Sequence, residues 1–484
     1  MEFNSFVLSD AAPMGHPLIV DELLRRAEHL VDRRRGAIDA NQVELLVGLG
    51  RQFDTEELHE DSRRILEKAY KMSRSLVESS ARAKAACALA SRASELDLPR
   101  ATALIHEGLA LLPNKPQYAL DRVFCLSRAR EVRDDSGHFL SALELAQEAL
   151  RELRASPFDS DLMELHVTMD VAEAMREAGN FQGAIEGFAQ VSTLITKLGR
   201  ENTQTAGTLY NNWGVALESA GQIVPAEEIL RRAIAVNKAA GSDHAESPML
   251  LTNYARTLRS LAKYDEAAAT AEQAVQMAKR HGVDQAADQA VTLLADIYID
   301  QHAYARSLAI QQEVEPRLRR HLPPDHYVFW VMLATRALAL VGLGDEEAAI
   351  SNANRAIVLG ENAVNRRQAD ASMLAGVYLK CAKVRLGTRR AAAAVNDAQR
   401  SAALMQSVLA PGTASSGLGD AYLTLARAFQ MTGDLEAARR SAQRAVDHFS
   451  KSVGPDNTRT RDAREIAEMP MGDRPFASQR DLRH

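Results

Sequence analysis

The chain has 484 residues and a formal net charge of −6, with a pI near 6.2. Hydrophobic residues supply 46% of it but aromatic residues only 5%, so alanine carries much of the apolar content, as close helix packing requires. A balance this close to neutral gives no field for drawing in nucleic acid or an anionic membrane, and no apolar run reaches the roughly eighteen residues needed to span a bilayer.

Residues 1–17 are irregular, with Pro13, Gly15 and Pro17. The opening MEFNSFVLSDAAPMG has neither a basic start nor a long apolar core, so no signal peptide is expected there. A helix is predicted from near Asp21 through VDELLRRAEHLVDRR. A first helical repeat follows at about 43–76, keyed by Gly50, Phe53, Leu66 and Ala69. The second covers about 82–115, the third about 120–154 with Gly137 and Phe139, and the fourth about 165–198 with Gly179 and Phe181. Residues 207–281 then state the pattern twice: Trp213-Gly214 becomes Tyr254-Ala255, Gly221 becomes Ala262, Ala226 becomes Ala267 and Ala233 becomes Ala274, each 41 residues on. The seventh unit, about 288–321, has His302 at its turn, and the eighth, about 330–363, has Gly344. The ninth, about 370–405, is degenerate, because Gly387 and the alanines at 391–394 allow more than one register. The tenth, about 418–451, is clean again. A small residue is expected in each second helix at Ser62, Ala101, Ala142, Ala184, Ala226, Ala267, Ser307, Ala349, Ala393 and Ala438, at intervals of 39 to 45.

Linkers recur as well: LGREN at 198–202, LPPDH at 322–326 and VGPDN at 453–457 each pair a Gly or Pro turn with an Asn or His suited to capping the next helix. After residue 457 the chain turns polar, and one capping helix near 457–468 followed by a disordered tail is expected. The organisation read here is an N-terminal segment and helix at 1–42, a repeat array at 43–451, and a capping helix with tail at 452–484.

Within a unit the pattern gives two amphipathic helices and a tight turn. Leu209, Trp213, Ala216 and Leu217 fall on one face of the first helix, and Gly214 on that face lets the second helix approach. Gly221 ends the first helix by taking a left-handed conformation at no steric cost. One hairpin cannot bury both its faces, so the units must stack. Trp213 and Trp330 read as packing residues on these faces. The cysteines Cys87, Cys125 and Cys381 are widely spaced in helical patterns and read as buried apolar residues of a reducing, cytoplasmic compartment, without a disulfide frame.

The run Trp213, Gly214, Leu217, Gly221, Ile223, Ala226, Leu230 and Ala233 resembles the tetratricopeptide repeat, in the longer variant of kinesin light chains and bacterial signalling proteins. This resemblance implies an all-α fold, a right-handed superhelix (solenoid) of about ten hairpins whose first helices line an inner groove. The segment NSFVLSDAAP with the helix after it resembles the region beyond the membrane span in bacterial serine/threonine kinases that carry such arrays. No kinase motif is present in this sequence: it has no glycine-rich loop, strand lysine, HRD or DFG.

Nothing in the sequence points to catalysis or a cofactor. HExxH, paired zinc-ligand cysteines, GxSxG, GxGxxG and GxxxxGK[ST] are all missing. His321 and His326 flank a Pro-Pro turn and read as linker residues rather than metal ligands. The clusters Arg33–Arg35, Arg231-Arg232 and Arg389-Arg390 each lie near acids, so no nucleic-acid surface is expected. The resemblance places ligand contacts on first-helix positions five, six, nine and twelve, counting the small residue as eight. These are Asn211, Asn212, Val215 and Glu218, then Thr252, Asn253, Arg256 and Arg259, then Thr292 and Asp296. Asn212 and Asn253 occupy one position in consecutive units; an amide there can hold a peptide backbone, or it can bond the neighbouring helix. The Lys and Asn of the family's carboxylate clamp are absent, so chaperone tails are not expected ligands. The reading is a non-catalytic scaffold for a peptide or protein in signalling or regulation, with self-association through an apolar end face also open. The alternative is a small-molecule sensor of the kind found in transcriptional activators or kinases. Enclosing aromatic residues would favour the sensor, and an open polar groove the peptide.

Overall fold

The computed structural model describes residues 20–469, apart from 34–37, 56–57, 95, 240–246, 282–283, 323–325, 367–368 and 370. The sequence readings at 1–19 and of a disordered tail beyond 469 lie outside the described residues. Among those described, the chain is helical with no strand. Contacts divide it into two compact units, residues 1–199 and 200–484.

Unit 1 contains α1 (Val20–Arg33) and four hairpins. These are α2 (Ala40–Thr55) with α3 (His59–Ser73), α4 (Ser79–Ala93) with α5 (Leu98–Ala110), α6 (Ala119–Asp135) with α7 (Phe139–Ala155), and α8 (Asp161–Glu177) with α9 (Phe181–Lys197). Unit 2 contains six more. They are α10 (Gln204–Ser219) with α11 (Ile223–Ala239), α12 (Pro248–Ser260) with α13 (Tyr264–His281), and α14 (Asp284–Asp300) with α15 (Tyr304–His321). Then come α16 (Tyr327–Gly342) with α17 (Glu346–Asn365), α18 (Ala371–Gly387) with α19 (Ala391–Val408), and α20 (Ser416–Thr432) with α21 (Leu435–Ser452). The helix α22 (Thr458–Ala467) closes the unit. The expectation of about ten hairpins is met.

Each hairpin forms for the reason its sequence suggests. Small residues in the second helices are buried and let the helices pack closely: Ser62, Ala101, Ala142, Ala184, Ala226, Ala267, Ser307 and Ala349 are all at 0% exposure. In the ninth unit the buried residue is Ala394, also at 0%, and not Ala393. Arg389 takes the left-handed turn there, which moves the register by one residue and removes the ambiguity of the alanine run. A side-chain carbon at Gly214 would lie 2.5 Å from Leu230 Cγ, and one at Gly50 would lie 2.6 Å from Leu66. These glycines therefore set the spacing between the paired helices.

Eight hairpin turns carry a left-handed residue: Gly137, Gly179, Gly221, Ala262, His302, Gly344, Arg389 and Gly433. Helix starts are capped by Ser160, Asn180, Thr203, Asp345, Ser415, Asp434 and Asn457, whose side chains accept a backbone N–H. Asn457 and His326 serve as caps, as the linker pattern suggested. In the 198–202 linker the cap is instead Thr203, one residue past Asn202.

The cysteine reading is corrected. All three sulfurs are buried, but Cys87 and Cys125 are joined by a disulfide and only Cys381 is free. The two are far apart in sequence, yet they face each other from the first helices of consecutive hairpins. Periodicity had marked both as buried without showing that they point at one another. Trp330 is a core residue at 1% exposure, while Trp213 is half-buried beside Tyr210, with ring centroids 6.5 Å apart.

Candidate functional site

Unit 2 closes on itself. The carbonyl oxygen of Ala414, before α20, lies so near Gly221 that a side-chain carbon there would be 1.8 Å away. Asn457 Nδ2 donates to the Leu261 carbonyl at 2.9 Å. Ile223, at the start of α11, is buried in the same apolar cluster as Leu418, Leu423 and Phe449. These contacts bring the first two hairpins of the unit against its last one, around a cavity of about 1330 Å³.

The walls of that cavity are mainly the first helices α12, α14, α16, α18 and α20, with the closing helix α22. The left-handed turn residue fixes a common register. Six residues before Ala262, His302, Gly344, Arg389 and Gly433 stand Arg256, Asp296, Leu338, Lys383 and Arg427, and all five line the cavity. One helical position in successive repeats therefore faces one space. The remaining first helix of the unit, α10, contributes no residue to the lining.

A charged network crosses this wall. Arg259 Nε donates to Asp300 Oδ2 at 2.5 Å and Nη1 to Asp296 Oδ2 at 3.5 Å. Lys380 Nζ donates to both oxygens of Asp296, at 2.7 and 2.9 Å, and to Thr335 Oγ1 at 2.7 Å. The Thr335 hydroxyl in turn donates to Asp296 Oδ1 at 2.7 Å. Asp296 thus gathers groups from α12, α16 and α18. Burial alone would raise its carboxyl pKa, but Lys380 and Arg259, with the hydrogen bonds from Lys380 and Thr335, hold it down at about 2. Burial, with Asp300 nearby, pushes the Tyr264 phenol up to about 12. Further round, Arg459 Nη1 donates to Asp420 Oδ2 at 2.9 Å. Leu293, Val331, Leu338 and Leu423 supply apolar wall between these charges.

Of the expected contact residues, Arg256, Arg259, Thr292 and Asp296 line the cavity. Asn211, Asn212, Glu218, Thr252 and Asn253 do not. The asparagines instead form a ladder between α10 and α12. Asn253 Nδ2 donates to Asn211 Oδ1 at 3.0 Å, Asn211 Nδ2 donates to Asn212 Oδ1 at 3.0 Å, and Arg256 Nη1 donates to Asn253 Oδ1 at 3.1 Å. Thr252 is buried and its hydroxyl donates to the Pro248 carbonyl at 2.8 Å. Burial pushes the Glu218 carboxyl up, and Arg256 only partly offsets this.

Lys380, Thr335, Asp420 and Arg459 escaped the sequence reading. Thr335 and Lys380 occupy the same first-helix position as Asn212 and Asn253, nine residues before the left-handed turn. Lys380 was hidden by the uncertain register of the ninth repeat. Among the described residues no group of three or more His, Cys, Asp or Glu could hold a metal ion, and no helix is long and apolar enough to cross a membrane.

A stack of helical hairpins whose first helices share a cavity defines the class of helical repeat arrays. Residues 204–280 match the tetratricopeptide repeat family, and the hairpins on either side of that stretch repeat its helix–turn–helix architecture. Among solved structures it is similar to a Rap protein complexed with competence and sporulation factor. The identity is 13%, the TM-score 0.57, and the match covers 76% of this chain and 99% of that one. Aspartyl phosphate phosphatase F from Bacillus subtilis is 12% identical with a TM-score of 0.47, covering 78% of this chain and 95% of that one. The TPR-like repeats of a putative kinesin light chain from Podosopora anserina are 17% identical with a TM-score of 0.36, covering 43% of this chain and 100% of that one. The likeness to the Rap protein is one of fold. No curated protein matches the sequence.

Proposed function

We propose that the chain is a non-catalytic interaction scaffold that receives an extended peptide segment of a partner protein in the unit 2 cavity, in a regulatory or signalling assembly. The observation that supports this is the register itself: one position in five consecutive repeats faces the same space, with Arg256, Asp296, Lys383 and Arg427 among its side chains. A periodic row of polar groups suits a ligand that is itself periodic, as a peptide backbone is. Among the described lining residues the aromatic rings are Tyr264, His326 and Tyr327, with no Phe or Trp. This favours a peptide over a small effector enclosed by aromatic walls. The Asn211–Asn253 ladder joins α10 to α12, one of the helices that line the cavity.

Gly376 provides the test. It lines the cavity, and a side-chain carbon there would meet no atom within 4 Å, so Gly376→Phe fills the space without displacing the core. A random linear-peptide display library selected on the full chain is expected to yield peptides that bind the wild type and lose at least about tenfold in affinity for Gly376→Phe. Enriched peptides that bind both chains equally would place the ligand elsewhere. Failure to enrich any peptide, together with binding of metabolites from a small-molecule screen, would support the sensor instead.

A further inference from the structure

We infer that Cys87 and Cys125 form a reversible redox clamp on unit 1, closed by a hydroperoxide and opened by a dithiol reductant. Cys87 lies mid-way along α4 and Cys125 mid-way along α6, 38 residues apart with Cα atoms at 5.3 Å. On the N-terminal side of the bond, Ser80 and Lys84 of α4 both contact Asp121 of α6. On the C-terminal side Ser91 bonds Glu131 and Ser94 bonds Asp135. The disulfide therefore sits at the centre of a row of polar contacts between two first helices, and closing it fixes the spacing the whole row depends on.

Two further observations point to a site that accommodates both oxidation states. Gly108 of α5 rests on the sulfurs: a side-chain carbon there would lie 2.3 Å from Cys87 Sγ and 3.4 Å from Cys125 Sγ. The third helix of the group thus leaves room for the pair. In the reduced state the Cys125 thiol has an acceptor waiting, because its Sγ lies 3.7 Å from the Ala83 carbonyl oxygen. Cys381 in unit 2 shows the same arrangement as a lone thiol, with Sγ 3.5 Å from the Ala353 carbonyl and burial pushing its pKa up to about 12. Breaking the bond therefore leaves the Cys125 thiol beside an acceptor.

Both sulfurs are at 0% exposure, so reagents reach them only when the short helix α5 opens. The chemistry then balances. One thiolate attacks the hydroperoxide, forming a sulfenic acid and releasing hydroxide (water after protonation). The second thiol displaces that hydroxyl as water, giving the disulfide. The net change is two thiols and one hydrogen peroxide to one disulfide and two waters. A dithiol reverses it by thiol–disulfide exchange, becoming a disulfide itself. Once closed, the bond joins α4 to α6 across the loop that carries α5, which lowers the population of open states.

The test uses the full chain and hydrogen peroxide itself. Intact-mass analysis after denaturing alkylation is expected to count three alkylated cysteines in the reduced protein and one, Cys381, after peroxide. Dithiothreitol under native conditions should restore three. Protease cleavage within 94–118 should slow by at least about tenfold on oxidation, and Cys87→Ala should abolish both changes while leaving unit 2 cleavage as in the wild type. Three alkylatable cysteines persisting after peroxide would overturn the inference, as would a cleavage rate indifferent to oxidation. So would a bond that native dithiothreitol cannot open, which would make the disulfide a permanent staple.

Discussion

At the residue scale, the left-handed turn positions control much of the energetics. A residue with a Cβ costs about 1–2 kcal/mol in this conformation, whereas glycine loses about 0.5–1 kcal/mol more chain entropy on folding. Ala262 and His302 adopt it with φ of 60° and 59°. Replacing either by Gly is expected to stabilise unit 2 by about 0.5 kcal/mol, measured by urea denaturation. Two native glycines make the converse comparison. Gly344 has φ +86° with nothing within 4 Å of a built side-chain carbon, so Gly344→Ala should cost only about 1 kcal/mol. Gly221 has φ +76° and the Ala414 carbonyl against it, so Gly221→Ala should cost about 2–4 kcal/mol. Equal losses at the two sites would show that the Gly221 contact is not tight.

At the scale of elements, first helices are tied to first helices by polar contacts about one repeat apart. Lys84 meets Glu44 at 2.8 Å and Asp121 at 2.9 Å in unit 1, and Asp296 meets Thr335 and Lys380 in unit 2. First and second helices are joined differently, by arginine over tyrosine: Arg400 on Tyr378 and Arg444 on Tyr422 recur with the same spacing. Asp296 is the most demanding of these links, because its largely covered carboxylate faces two cations. Asp296→Asn is expected to destabilise unit 2 by about 3 kcal/mol at pH 7, leaving Lys380 and Arg259 short of a counter-charge. The carboxyl is held at about 2, below its unfolded value near 3.8. Its contribution is therefore complete above about pH 4 and is lost as pH falls through 2. The difference in urea midpoint between variant and wild type should accordingly narrow between pH 4 and pH 2. A gap that stays constant over that range would mean Asp296 does not carry the charge in the folded state.

At the scale of the whole molecule, the closure of unit 2 distinguishes it from an open groove. Gly221 against Ala414 and Asn457 on Leu261 join hairpins nearly 200 residues apart in sequence. Opening that closure with Gly221→Leu and Asn457→Ala together is expected to raise the radius of gyration of the full chain in small-angle scattering while the helical circular dichroism stays unchanged. An unchanged radius would show that the stacking of adjacent hairpins alone sets the curvature. The cavity depends on this closure as well, so the same double variant should lose binding of any peptide that Gly376→Phe rejects.

The sequence by itself determined what is local and periodic. Gly214 against Leu230, the small residue of each second helix, and Gly221 at its turn are short-range packing rules repeated at a near-constant interval, and repetition makes such rules legible. First-helix positions were legible too, which is why Arg256, Arg259, Thr292 and Asp296 could be placed toward a shared face. Only the tertiary structure decided which repeats share a space. The cavity excludes α10, includes Lys380 from the repeat with the ambiguous alanine run, and draws Asp420 and Arg459 from the far end of the chain. The cysteines carry the same lesson: periodicity buried Cys87 and Cys125, but only the facing of α4 and α6 made them a bond. Each small rotation from one hairpin to the next is weakly encoded in any single unit, and its sum over six hairpins fixes where distant side chains meet.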